Sequence, residues 1–423
     1  MDKLYENILS EVKKLPIIDT HEHLDMEEHR VKKGVDLFSL FMTHYASSDL
    51  ISAGMPVEDM DKLRGNQLDI DEKWRIFKPY WERAKNTSYC QCLLIAVKDI
   101  YGVDDINDFT YQELNARIVS MNKPGLYRRI LKDMSHIELS ICDVYWPDPF
   151  LLDEEFYRPA VRFDEFIFVE SSDDISALEK RHGRYINSLN QWVRLLEDTM
   201  KEYKEKYHIC AVKSGLAYSR ILRYERTDYS EAEAIFNQLL SARGVGSEFC
   251  IQTKPLQDYM MHKVVQIASE MDLPIQIHTG LQEGNGNVIT NSNPSHLINL
   301  FMDYPQARFD IFHAGYPYGG ELSAIVKNFP NVYADMCWAH IISREYAVRI
   351  LEEWLDTIPA NKIFGFGGDY IFVEGVYGHQ VIARENIARA LANKVEKGYI
   401  KEGQCLDIAQ RLLYQNPKDF FKL

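Results

Sequence analysis

The chain has 423 residues, 46% hydrophobic and 26% charged, with 63 acidic against 48 basic side chains and a net charge of −15. This composition reads as a soluble globular protein with material for a large core. No dense Lys/Arg run is present, which argues against nucleic acid or an anionic membrane surface as a partner and leaves a small-molecule substrate.

The N-terminal residues begin an amphipathic helix, with no signal-peptide core or membrane-length apolar run expected. Seven scattered cysteines without a Cys-x-x-Cys pair suit reduced thiols, so a cytoplasmic location is expected. The first strand candidate is Ile17–His23, and its end carries His21-x-His23. Residues two apart in a strand share a face, so both imidazoles project together and offer half of a divalent metal site. Residues 25–135 are too long for one crossover. They read as an aromatic-rich helical insertion after the first strand, forming a cap over the barrel mouth.

Seven further apolar runs follow: Ile137–Tyr145, Phe163–Glu170, His208–Tyr218, Pro274–Thr279, Ala307–His313, Val332–Cys337 and Ile363–Asp369. Helical periodicity between them gives a βα alternation, and eight strands close an α/β (β/α)8 TIM barrel. With no repeat or flexible linker, residues 1–423 read as one barrel carrying that cap.

Chemistry in such a barrel gathers at the C-terminal strand ends. His278 and His313 end the fifth and sixth candidates, Asp369 ends the eighth, and Lys213 lies in the fourth. Each alone has a structural explanation. Six groups at the same end of five strands point jointly to a metal centre holding one or two ions. Tyr218, Arg220 and Arg223 after the fourth strand suit a substrate carboxylate, although structural salt bridges explain them equally well. Gln282 and Glu283 in the glycine-rich loop after His278 are candidate ligand contacts, as are Trp338 and Tyr370 as pocket walls and His44 in the cap. A homo-oligomer stays open.

This arrangement resembles the amidohydrolase superfamily: His-x-His on the first strand, His on the fifth and sixth, Asp on the eighth. Val212-Lys-Ser-Gly-Leu-Ala-Tyr-Ser-Arg220 and His313-Ala-Gly-Tyr-Pro317 are similar to segments of its amidohydrolase-2 branch, the metal-dependent hydrolases of the TIM-barrel fold. Thr43-His-Tyr45 and Ser52-Ala-Gly54 give a weaker resemblance to uronate isomerases. The resemblance implies a divalent metal, zinc by its nitrogen-rich ligands, on His21, His23 and Asp369. His278 completes a one-metal site with His313 as base or oxyanion stabiliser. Alternatively, His278 and His313 hold a second ion bridged by a carboxylated Lys213. Asp369 would accept the proton of a metal-activated water. The expected reaction is hydrolysis of an amide, lactam, ester or lactone. Aldose–ketose isomerisation, as in uronate isomerases, is the alternative, with decarboxylation also open.

Overall fold

Residues 2–144, 152–243 and 251–423 are described in this computed structural model; Tyr145 and Cys250 lie outside them. Eight strands form one sheet in sequence order: β1 (Ile17–Glu22), β2 (Ile137–Val144), β3 (Tyr157–Arg162), β4 (Ala211–Ser214), β5 (Ile275–Ile277), β6 (Phe309–Ile311), β7 (Val332–Asp335) and β8 (Ile363–Phe364). Every neighbouring pair is parallel. The chain after the last strand returns to the first through three backbone bonds, Thr20 N to Phe366 O (3.1 Å), Asp369 N to His21 O (2.8 Å) and His23 N to Tyr370 O (3.0 Å). Helices such as Leu189–Tyr207, Lys254–Glu270 and Val373–Glu396 cover the outside. Burial on both faces explains why these strands read as continuous apolar runs rather than alternating ones. The (β/α)8 barrel is therefore the fold.

One strand differs from its expected place. The third lies at Tyr157–Arg162, not Phe163–Glu170, where the chain instead makes the short helix Asp164–Ile167. Arg158, Pro159 and Arg162 make the true strand look polar and broken, because proline cannot donate to a ladder. Pro159 is tolerated here because its carbonyl still accepts from Cys210 N (2.9 Å).

The helices between β1 and β2 include Glu27–Lys33, Tyr45–Ser52, Val57–Arg64, Ile70–Ala84 and Ser88–Tyr101. Their aromatics form their own core: Phe77 meets Phe38 at 5.1 Å and Trp81 at 5.3 Å between ring centres. A buried fork ties this segment to the helix after β8. Arg30 donates to both oxygens of Glu374 at 2.8 and 2.7 Å, and the Tyr101 hydroxyl donates to the same carboxylate. A bidentate guanidinium–carboxylate pair of this kind is directional as well as charged, so it fixes where the segment sits.

The N-terminal end of the barrel is closed by a separate apolar cluster of Ile141, Ala160, Ala211, Phe364, Phe420 and Phe421. Small alanines on β3 and β4 leave room for the two terminal phenylalanines. Phe364 meets Phe420 at 5.0 Å and Phe421 at 6.2 Å. Among the described residues, no helix is long and apolar enough to cross a membrane.

Candidate metal centre

The C-terminal strand ends bring His21, His23, Lys213, His278, His313 and Asp369 to one place. Asp369 sits between two groups of ligands. One carboxylate oxygen, Oδ1, lies 3.2 Å from His23 Nε2 and 3.5 Å from His21 Nε2. The other, Oδ2, lies 3.9 Å from His313 Nε2 and accepts the Tyr45 hydroxyl at 2.6 Å. Asp19 braces the first pair from beneath, accepting from His21 N (3.2 Å), Gly368 N (3.0 Å) and Ser140 Oγ (3.1 Å). Gly367 and Gly368 precede Asp369 because Cys337 and Glu22 approach too closely for a Cβ at either position. His313, Trp338 and Asp369 take φ of 63°, 61° and 57°. Non-glycine residues rarely adopt that region, and such outliers cluster at functional sites.

The donor set fits a metal. The ligand atoms of His21, His23 and Asp143 lie within 4.8 Å of one another, and so do those of His313, Cys337 and Asp369. His21 Nδ1 and Asp143 Oδ1 are buried without a hydrogen-bond partner. The clearest sign is the pair on β5 and β6. His278 donates from Nε2 to Leu281 O (2.9 Å), and His313 donates from Nδ1 to Cys337 O (3.0 Å). A neutral imidazole carries one N–H, so both remaining nitrogens present lone pairs. These two, His278 Nδ1 and His313 Nε2, face each other at 2.9 Å. Two facing lone pairs repel unless a cation lies beside them. Burial opposes a proton there, lowering His313 to about 4 and His278 well below its ordinary value.

Lys213 Nζ lies 3.3 Å from His21 Nε2 and 3.6 Å from the centre of the Phe312 ring. Burial pulls its ammonium down to about 8. Arg162, at the end of β3, donates to Asp143 Oδ2 from Nε (2.8 Å) and its Nη2 lies 2.6 Å from the same oxygen. Above these groups lies a cavity of about 240 Å³ lined by His23, His44, Tyr45, Arg162, Lys213, Tyr218, His278, Glu283, Asp369 and Ile371. The segment between β1 and β2 contributes His44 and Tyr45 to this lining, and burial takes His44 down to about 3. The Tyr218 hydroxyl accepts from Glu283 N at 2.9 Å, which fixes Glu283 at the rim. Burial raises the Glu283 carboxyl, with Arg64 opposing.

Other expected contacts lie elsewhere. Arg220 is buried outside the cavity, bonded to Asp258 and to Gln257 Oε1 (2.9 Å), with its guanidinium over Tyr224. Arg223 is exposed and pairs with Glu225 at 3.0 Å. The structural alternative for both arginines is what the fold displays: a buried acidic partner captures one, and solvent the other. Gln282 points back to Ala217 O (2.9 Å). Trp338 lies beneath Tyr45, stacked at 4.5 Å, and meets His313 edge-on at 5.1 Å. Tyr370 turns its hydroxyl away toward Cys92 Sγ (3.4 Å).

Asp143, Arg162 and Cys337 carry no site expectation from the sequence, and Tyr45 enters there only within Thr43-His-Tyr45. Asp143 could have been singled out, since it is the last acidic residue of the second strand, one position before its end at Val144. Arg162 was hidden by the displaced third strand. A wider hollow of about 690 Å³ lies at the opposite end of the barrel, lined by Glu138, Arg158, Lys204, Cys210 and Asp272 among others. None of the clustered ligands reaches it.

Residues 227–423 match the family model described as Amidohydrolase. Protein fluG of Emericella nidulans is 25% identical over 224 residues, which are 51% of this chain and 26% of that protein. The chain therefore spans about a quarter of that relative's length. A uronate isomerase of Nostoc punctiforme is 21% identical over an alignment covering 100% of this chain and 95% of that enzyme. The crystal structure of a uronate isomerase from Thermotoga maritima superimposes with a TM-score of 0.80 at 16% identity, covering 99% of this chain and 97% of that one. The resemblance to the amidohydrolase superfamily holds, as does the weaker one to uronate isomerases, and the barrel is shared.

Proposed function

We propose that this protein is a metal-dependent aldose–ketose isomerase of a small sugar acid. Tyr45 carries the reading: the inserted segment delivers its hydroxyl onto Asp369 and into the cavity. The alignment with the Nostoc isomerase supports it, because that alignment runs through the insertion, whereas the match to fluG takes in half of the chain. The ligand set of His21, His23 and Asp369, with Asp143 beside it, suits zinc. Bound there, the ion would polarise the substrate's carbonyl and neighbouring hydroxyl oxygen.

The remaining work falls to the chain's own residues. Isomerisation moves a proton between adjacent carbons, so it needs a group that accepts one and returns it. Asp369 Oδ2 can accept that proton and return it to the adjacent carbon, positioned by the Tyr45 hydroxyl that donates to it at 2.6 Å, while burial and the Asp369 charge keep Tyr45 itself protonated. Arg162 and Lys213 supply positive charge along one wall, where a carboxylate would bind. Glu283 and Tyr218 offer hydroxyl partners on the other side. His44 and Tyr45 bring the inserted segment into the cavity lining, beside the substrate position. About 240 Å³ suits a monosaccharide-sized ligand.

Hydrolysis is the second reading, favoured by one observation: Lys213 lies 3.3 Å from His21 Nε2. There its neutral amine could add carbon dioxide, forming an N–C bond and losing a proton to give a carbamate between the two ligand groups.

The test is incubation of metal-loaded protein with hexuronates, and separately with amides and lactones, followed by proton NMR. Ketose formation from a hexuronate is expected, with Tyr45→Phe slowing it by about 10²-fold at unchanged metal content. Unchanged hexuronates alongside a cleaved amide or lactone would overturn the proposal in favour of hydrolysis.

A further inference from the structure

Cys337 lies two residues beyond the end of β7, beside His313 and Asp369, and the proposed reaction does not use its thiol. It is fully buried, and its donor atom lies within 4.8 Å of those of His313 and Asp369. The Cys337 backbone is held in place on both sides. Cys337 N donates to Asp335 Oδ1 (2.7 Å), and Cys337 O accepts from His313 Nδ1 (3.0 Å). Across from it, a Cβ on Gly367 would meet the Cys337 Cβ and Sγ at 2.8 Å. The bond from His313 to Cys337 O also leaves His313 Nε2 as the lone-pair nitrogen aimed into this cluster. Histidine ligands of metals are commonly oriented through a bond from the other ring nitrogen. The same residue that offers a sulfur therefore orients the neighbouring nitrogen.

We propose that Cys337 is a thiolate ligand of a second metal position, held with His313 and Asp369 and distinct from the His21–His23–Asp143 group. Asp369 lies between the two positions, with Oδ1 toward the first and Oδ2 toward the second. A sulfur, nitrogen and oxygen set selects a borderline-soft divalent ion such as zinc or cobalt over magnesium or calcium. On binding, the S–H bond breaks, a sulfur–metal bond forms and the proton leaves to bulk water. The ion stays divalent, so no oxidant or reductant is needed. A metal there also supplies the cation that the facing lone pairs of His278 and His313 lack. The assignment is independent of which reaction the centre performs.

Titration of the metal-stripped full-length protein with Co2+ tests it. A near-ultraviolet sulfur-to-cobalt charge-transfer band is expected to grow as metal binds. Cys337→Ser should abolish that band while leaving the visible bands of cobalt on His21, His23 and Asp369. If that variant does not fold, X-ray absorption of the zinc-loaded wild type decides, with a sulfur neighbour at about 2.3 Å expected. Bound cobalt without a charge-transfer band, a zinc spectrum without sulfur, or a band that survives Cys337→Ser would each overturn the proposal.

Discussion

The two ends of the barrel use the same eight strands for opposite purposes. At the floor, Ile141, Ala160, Ala211, Phe364, Phe420 and Phe421 are all buried and have nothing polar to satisfy. At the mouth, His21, His278, His313 and Asp369 are nearly as buried, yet present lone pairs and a carboxylate to one another. Burying apolar surface stabilises a fold, whereas burying unpaired polar groups costs free energy. The floor therefore adds apolar packing to the larger main core, and the mouth keeps an electrostatic need that suits a cation. Strength and chemistry occupy separate ends, so each can be changed without the other.

That separation makes predictions. The largest effect is expected from Asp369→Asn at the mouth, with kcat falling by roughly 10²–10⁴-fold. Burial pushes the Asp369 carboxyl up, but the bond to His23 and the nearby His313 and His21 outweigh that and hold it well below its ordinary value. Losing its charge should therefore lower the thermal unfolding temperature without unfolding the protein. Simultaneous unfolding would show that the mouth also carries stability. At the floor, Phe364→Ala should cost about 3–5 kcal/mol in denaturant unfolding. Turnover per folded molecule should stay at the wild-type value, and a matching loss of turnover would break the comparison from the other side.

The fork between Arg30 and Glu374 ties the inserted segment to the helix after β8 and comes next. Glu374→Gln leaves the Arg30 charge buried without its partner, so a loss of about 3 kcal/mol is expected. Its pH dependence has a definite sign. Burial pushes the Glu374 carboxyl up, but Arg30 and Tyr101 outweigh that and hold it below its ordinary value. Its contribution is therefore complete above the unfolded value of about 4.3. It is lost as the pH falls through that value toward the folded one. Denaturant melts between neutral and acid pH should show this loss in the wild type, and a smaller one in Glu374→Gln. An equal acid loss in both proteins would remove the fork from the account. The smallest effect is expected from Arg223→Ala, within about 0.5 kcal/mol and without kinetic consequence, because Arg223 meets Glu225 in solvent.

How far the sequence reached depended on the kind of signal. Seven strands were legible because burial on both faces leaves an unbroken apolar run, as in Pro274–Thr279 around β5. The third was not, because Pro159 and two arginines interrupt that signal while the adjacent Phe163-Asp-Glu-Phe-Ile-Phe-Val169 imitates it. Arg162 went unseen for the same reason. Arg220 and Tyr218 illustrate a second limit. Both follow the fourth strand within three residues of each other, yet one lines the cavity and the other bonds to Asp258 on a helix 38 residues further on. Local order places a residue near a strand end but cannot say which neighbour takes its side chain.

By itself, the sequence determined that His21, His23, His278, His313 and Asp369 stand at the same end of a parallel barrel. Periodicity fixes which strand end each occupies, and barrel closure brings those ends together. Only the tertiary structure decided what faces them. It placed Tyr45 on Asp369, set two lone pairs against each other on β5 and β6, and brought Cys337 to His313 and Asp369. Such contacts join residues between 24 and 324 positions apart. Their partners are set by how the cap and strands pack, and that information is not local to any motif.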